Sequence, residues 1–139
     1  MDYGSFEGRA TIMTNRSTQP LFTFVPVRDG DAAKRFYADV LGLELLEDSP
    51  FAVVFRTPGG TLRLAKTPDF HPQPFSLIGW VVPDLAQEMA ELSAKGVSFE
   101  MFEGLPQDEA GVWIVPDGTR VCWFRDVDGN LLSLTQTAG

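Results

Sequence analysis

The chain has 139 residues, 44% of them hydrophobic and 22% charged, with one cysteine and a formal net charge of −8. That length and composition suit a single globular domain, and they exclude a disordered chain, an intrachain disulfide framework and a membrane span of about 20 apolar residues. An acidic balance without a basic cluster argues against nucleic acid, whose phosphates are met by Lys and Arg, and the lack of a secretory leader pattern makes a cytoplasmic location the expectation.

Residues 1–20 show little periodicity and read as a mobile arm. Residues 21–139 read as one domain, built from repeats over about 21–66 and 75–136. The first repeat opens with "LFTFVPVRD", a strand. In "AAKRFYADVLG" the residues Ala33, Phe36, Tyr37, Val40 and Leu41 fall at helical spacing, with Asp31 as the expected cap and Gly42 as the stop. Three strands follow in "LELLED", "FAVVFRT" and "TLRLAK", the last two joined by Pro58-Gly59-Gly60.

The second repeat keeps that order, with one strand pattern more. "SLIGWVVPD" is a strand, and "LAQEMAELSAKG" is a helix with a Leu85, Met89, Leu92 stripe, Asp84 and Gln87 placed as a capping box, and Gly96 beyond its end. Strand patterns follow in "VSFEMFE", "GVWIV", "RVCWFRD" and "NLLSLTQ", with turns at Pro116-Asp117-Gly118 and Asp128-Gly129-Asn130. Val27-x-Asp29 before the first helix is echoed by Val82-x-Asp84 before the second. The reading is an α+β fold: duplicated βαβββ units forming a cupped, mostly antiparallel eight-stranded sheet with helices outside.

Chemistry-bearing signals are few. His71, the single histidine, lies in the linker between the repeats and reads as exposed; Cys122 alternates with Trp123 and so points to the helix side as an inert thiol. "DVDGN" misses the spacing of a calcium loop, and there is no phosphate loop or serine-nucleophile elbow. The period-two phase of the last strand puts Leu131, Ser133 and Thr135 on one face and Leu132 and Leu134 on the other. Aromatic residues concentrate on the matching phase of other strands: Phe22 and Phe24 on the first, Trp123 near the last turn, and Trp113 at the rim. "FEGLPQDEAG", residues 102–111, reads as a flap over that mouth.

Three stretches, "FTFVPVRDGDAAKRFYADVLGLELL", "IGWVVPDLAQEMAEL" and "WFRDVDGNLLSL", resemble the vicinal oxygen chelate superfamily, the glyoxalase, bleomycin-resistance and extradiol dioxygenase group. The resemblance implies a divalent metal held from the first and last strands of each unit. Transferred residue by residue, those positions fall at Phe22, Leu64, Leu77 and Ser133, none of which is an ordinary ligand. The expectation is therefore a protein without metal or other cofactor, binding a small organic molecule in a cup lined by Phe22, Phe24, Leu64, Leu77, Trp113, Trp123 and Ser133. The family also implies a homodimer. The alternative is a glyoxalase- or dioxygenase-type enzyme whose metal site lies elsewhere; no catalytic residue is assigned.

Overall fold

The computed structural model describes residues 16–139, so residues 1–15 of the segment read as a mobile arm lie outside the described residues. After a short 3-10 turn at Arg16–Thr18, the first unit comprises β1 (Leu21–Val27), α1 (Gly30–Arg35), β2 (Leu45–Asp48), β3 (Ala52–Thr57) and β4 (Gly60–Lys66). The second comprises β5 (Ser76–Val81), α2 (Leu85–Ala94), β6 (Trp113–Ile114), β7 (Arg120–Arg125) and β8 (Leu131–Gln136). The eight strands form two four-stranded mixed sheets of matching order, β1-β4-β3-β2 and β5-β8-β7-β6, with β1·β4 and β5·β8 parallel and the remaining pairs antiparallel. The duplicated α+β architecture is as the echoed order implies, with the strands divided between two sheets. No helix among the described residues is long and apolar enough to cross a membrane.

Local chemistry explains the elements and three departures from the expected ones. First, α1 is capped by Asp29, not Asp31: Asp29 is extended, and its Oδ1 accepts the amides of Asp31 and Ala32 at 3.0 and 3.3 Å. Second, the helical pattern is α-helical only to Arg35. Phe36–Val40 widens into a π turn in which Leu41 N donates to Phe36 O, and Gly42 ends it at φ +75°. Third, "VSFEMFE" is not a strand. Phe99 makes one antiparallel bridge to Phe124 and Glu100 N reaches Trp123 O at 2.8 Å. The Gln107 side chain then takes over the groups a ladder would use, binding Phe102 N, Glu100 O and Gly111 O at 2.6, 2.9 and 2.8 Å. The segment expected as a loose flap is thereby laced to the second sheet, with Asp108 Oδ1 also accepting from Ala110 and Val112.

One face of each sheet and both helices enclose a single core. Val25, Val27, Val53, Phe55, Leu62 and Leu64 come from the first sheet, Cys122, Phe124, Leu132 and Leu134 from the second, and Ala33, Tyr37, Leu85, Met89 and Leu92 from the helices. Burial of these apolar side chains, each contributing roughly 1.5–3 kcal/mol for the larger ones, is the main force joining the units. The seam is also specified by a polar cluster. Tyr37 Oη donates to the buried Asp126 carboxylate at 2.7 Å, and Asp126 further accepts the Asp128 and Asn130 amides and Asn130 Nδ2 at 2.9, 2.9 and 3.0 Å. Asn130 Nδ2 also reaches Pro26 O at 2.8 Å, while Arg28 N donates to Asp128 Oδ1 at 3.0 Å. The β7–β8 turn is thus tied to the end of β1 and to the π turn, across 89 to 104 residues of sequence.

Candidate functional site

The faces turned away from the core carry the side chains that the sequence singles out. Along β1, Val25 and Val27 are fully buried in the core while Phe22 and Phe24 on the alternate phase are each 58% exposed. The two rings meet edge to face, with centroids 6.0 Å apart. Their register partners on the central strand β4 are Thr61 and Arg63. Arg63 lays its guanidinium over the Phe22 ring, 4.5 Å from the centroid.

On the second sheet, Ser133 pairs with Trp123 on β7 and with Gly79 on β5, and Trp113 pairs with Val121. Trp113 and Trp123 stack at 6.3 Å with 21° between their planes, and Phe102 stands edge-on to Trp123 at 5.5 Å. Three aromatic rings therefore line the face that also carries Ser133. The Ser133 hydroxyl accepts from Ser76 Oγ at 3.2 Å, so it helps hold β5 against β8. Gly79 is required there, because a methyl group at that position would overlap Ser133 Oγ and stand 2.9 Å from its carbonyl oxygen.

Two expected site residues are placed differently. Leu64 is fully buried in the core opposite Val25, and the outward position on its strand belongs to Arg63. The reason is the turn: Gly59, with φ +71°, corresponds to Gly129, with φ +90°, whereas Gly60 is the first residue of β4. Four residues beyond each positive-φ glycine come Arg63 and Ser133. Leu77 sits where the β5–β8 register shifts, between Ser76 and Ile78, and is half-buried against the core. Sequence reasoning also passed over Phe102 and Gly79. The second was legible only as the residue five before Asp84, matching Phe24 before Asp29.

The four positions that the family resemblance marks for a metal thus hold Phe22, Arg63, Leu77 and Ser133, which offer a guanidinium and a single neutral hydroxyl. No group of three or more His, Cys, Asp or Glu able to hold a metal ion occurs among the described residues. This donor set does not fit a divalent cation. His71 is exposed in the linker, and Cys122 is fully buried on the helix side, its thiol pushed up to about 12 by desolvation and so far from a nucleophile's range.

Comparison with known proteins places these features in a family. Among solved structures, the lactoylglutathione lyase of Agrobacterium tumefaciens aligns with TM-score 0.65 and 21% identity over 84% of this chain and 91% of its own. A glyoxalase/bleomycin resistance protein/dioxygenase superfamily member from Sphaerobacter thermophilus aligns with TM-score 0.67 and 23% identity over 85% and 96%. TnmS3, an antibiotic binding protein from Streptomyces sp., aligns with TM-score 0.64 and 25% identity over 85% and 94%. Comparison with curated proteins gives no match. The family model described as Glyoxalase/Bleomycin resistance protein/Dioxygenase superfamily matches residues 19–134. Since that match runs from the start of β1 into β8, through both repeats and their helices, the chain belongs to the Glyoxalase/Bleomycin resistance protein/Dioxygenase superfamily.

Proposed function

We propose that the protein binds a small organic molecule between aromatic walls, in a cup that two copies of the chain complete together. The observation that carries this reading is the pair Phe22 and Phe24, set on the edge strand β1 beside its parallel neighbour β4 and each 58% exposed. Large apolar rings in contact on an otherwise ordered sheet mark a surface that is covered in use. The outward face of the second unit carries Phe102, Trp113 and Trp123, so each unit supplies an aromatic wall, though from different strands. A homodimer that sets the first-unit face of one copy against the second-unit face of the other buries both walls and makes two equal cups, as closed two-fold symmetry requires. Rings on both sides favour a planar or largely apolar ligand, oriented by the few polar groups that line the walls. The antibiotic-binding relative supports this choice over a metal-dependent reaction, and so does the donor set at the four inherited metal positions.

The test combines sedimentation with tryptophan fluorescence. A dimer at micromolar concentration is expected, together with quenching or a spectral shift of Trp113 and Trp123 on titration with a panel of planar aromatic compounds. Replacing Phe24 by Glu is expected to remove the dimer and the fluorescence response together. A wild-type monomer that binds no member of the panel overturns the reading.

A further inference from the structure

The first-sheet wall holds two polar groups that the fold itself does not use. Arg63 Nε and Thr61 Oγ1 are both buried and without a hydrogen-bond partner among the described residues. They lie two residues apart on the same face of β4, beside Phe22 and Phe24. On the other flank of Arg63 the register neighbour is Val54, only 3% exposed, while the guanidinium itself lies over the Phe22 ring. Among the described residues, Arg28, Lys34, Arg56, Lys66 and Arg125 each meet a carboxylate within 4 Å; Arg35, Lys95 and Arg120 meet none but are exposed, whereas Arg63 is half-buried and has no such partner. A protein of net charge −8 that leaves this guanidinium without an acid, in a spot where desolvation is costly, has an unmet demand for an anionic oxygen. The position sharpens the point. Arg63 is the counterpart of Ser133, four residues after the turn glycine, where the family resemblance implies a metal-binding carboxylate. A fixed positive charge there repels a cation and attracts an anion.

We propose that Arg63 and Thr61 bind the carboxylate of an aromatic or other planar organic acid, whose ring lies against Phe22 and Phe24. This rests on the aromatic-cup reading above. Arginine suits the role because its planar donor edge can meet two carboxylate oxygens, and its stacking on Phe22 already fixes the orientation of that plane. The Thr61 hydroxyl supplies a further donor from the same strand. The ligand class is therefore an organic monoacid with a flat apolar body, as distinct from a neutral or cationic ring system.

The experiment compares 1-naphthoate with its uncharged amide, 1-naphthamide, by fluorescence titration and by NMR of the Arg side-chain Nε–H signals. Wild-type protein is expected to favour the acid by on the order of tenfold or more, as for a charge-assisted hydrogen bond, and the Arg63 Nε–H signal is expected to move. R63Q should lose that preference, with a circular dichroism spectrum and tryptophan emission of the unliganded variant matching the wild type to show that it is folded; T61V should reduce the preference in part. Equal affinity of the wild type for acid and amide overturns the carboxylate assignment while leaving the cup reading intact. Preference retained in R63Q overturns it as well. Failure of both probes to bind at millimolar concentration defeats the cup reading and this assignment with it.

Discussion

Replacing Tyr37 by Phe removes one oxygen and little else. The ring keeps its stack on Phe55, with centroids 6.1 Å apart and 29° between planes, and its edge contact with Phe36 at 5.6 Å. What is lost is the 2.7 Å hydrogen bond from the phenol to the buried Asp126 carboxylate, the link between the π turn of the first unit and the β7–β8 turn of the second. A hydrogen bond to a charged group contributes about 1.5–3 kcal/mol. Asp126 retains its three other donors in the variant, so its desolvation is not left uncompensated and the loss falls in the lower part of that range, about 2 kcal/mol. Urea unfolding at neutral pH should show this as a lower midpoint with an unchanged slope. The pH dependence adds a second check. Burial, and after it the negative charge of Asp126, pushes the Tyr37 phenol well above its ordinary range. A group whose folded pKa is raised contributes stability that is complete below its unfolded pKa, about 10 for tyrosine, and is lost as pH rises beyond it. The gap between wild type and Y37F should therefore be flat from about pH 6 to 9 and shrink at higher pH, as the unfolded chain ionises and the folded one does not. A loss under about 0.5 kcal/mol, or a gap that widens with alkali, would refute the charge-assisted bond at the seam.

Gly79→Ala should destabilise by about 1–3 kcal/mol, as overpacking does, because the added methyl meets Ser133 on the neighbouring strand. Ser133→Gly in the same chain should recover part of that loss, a coupling that thermal melts of the four proteins in the cycle can measure. Trp123→Ala removes the middle of the Phe102, Trp123, Trp113 group; since Trp123 is only half-buried, it should cost less than the roughly 3–5 kcal/mol of a fully packed tryptophan while weakening aromatic ligands on the order of tenfold. Zinc should leave the Tm of the parent unchanged and raise that of a chain carrying F22H, R63E and S133E, and it should do so only while the protein is assembled, as differential scanning calorimetry at graded protein concentrations can test. A zinc-dependent rise in the parent would contradict the reading of its donor set.

Periodicity and punctuation were enough to recover the two βαβββ units, since alternation in "LFTFVPV" and helical spacing in "LAQEMAEL" are imposed by burying one face of each element. That Ser133 stands beside Trp123 is a matter of register between strands, but the same alternation separated Ser133 from Leu132 and Leu134 and placed Cys122 toward the helices, because within one strand the phase needs no tertiary information. It could not choose between Gly59 and Gly60 as the turn residue, and a shift of one residue moved the expected wall position from Arg63 to Leu64, onto the opposite face. Local propensity likewise could not foresee that Gln107 would satisfy the backbone where "VSFEMFE" promised a strand, nor that the demand of Asp126 for a fourth donor would be met by Tyr37 from the π turn. Those outcomes depend on contacts between residues far apart in the chain, where a buried polar group must find a partner from whatever element the packing brings near. Arg63 and Thr61 were invisible for the same reason: a cation and a hydroxyl on a strand look solvated until the fold buries Arg63 Nε and Thr61 Oγ1 and leaves them without partners among the described residues.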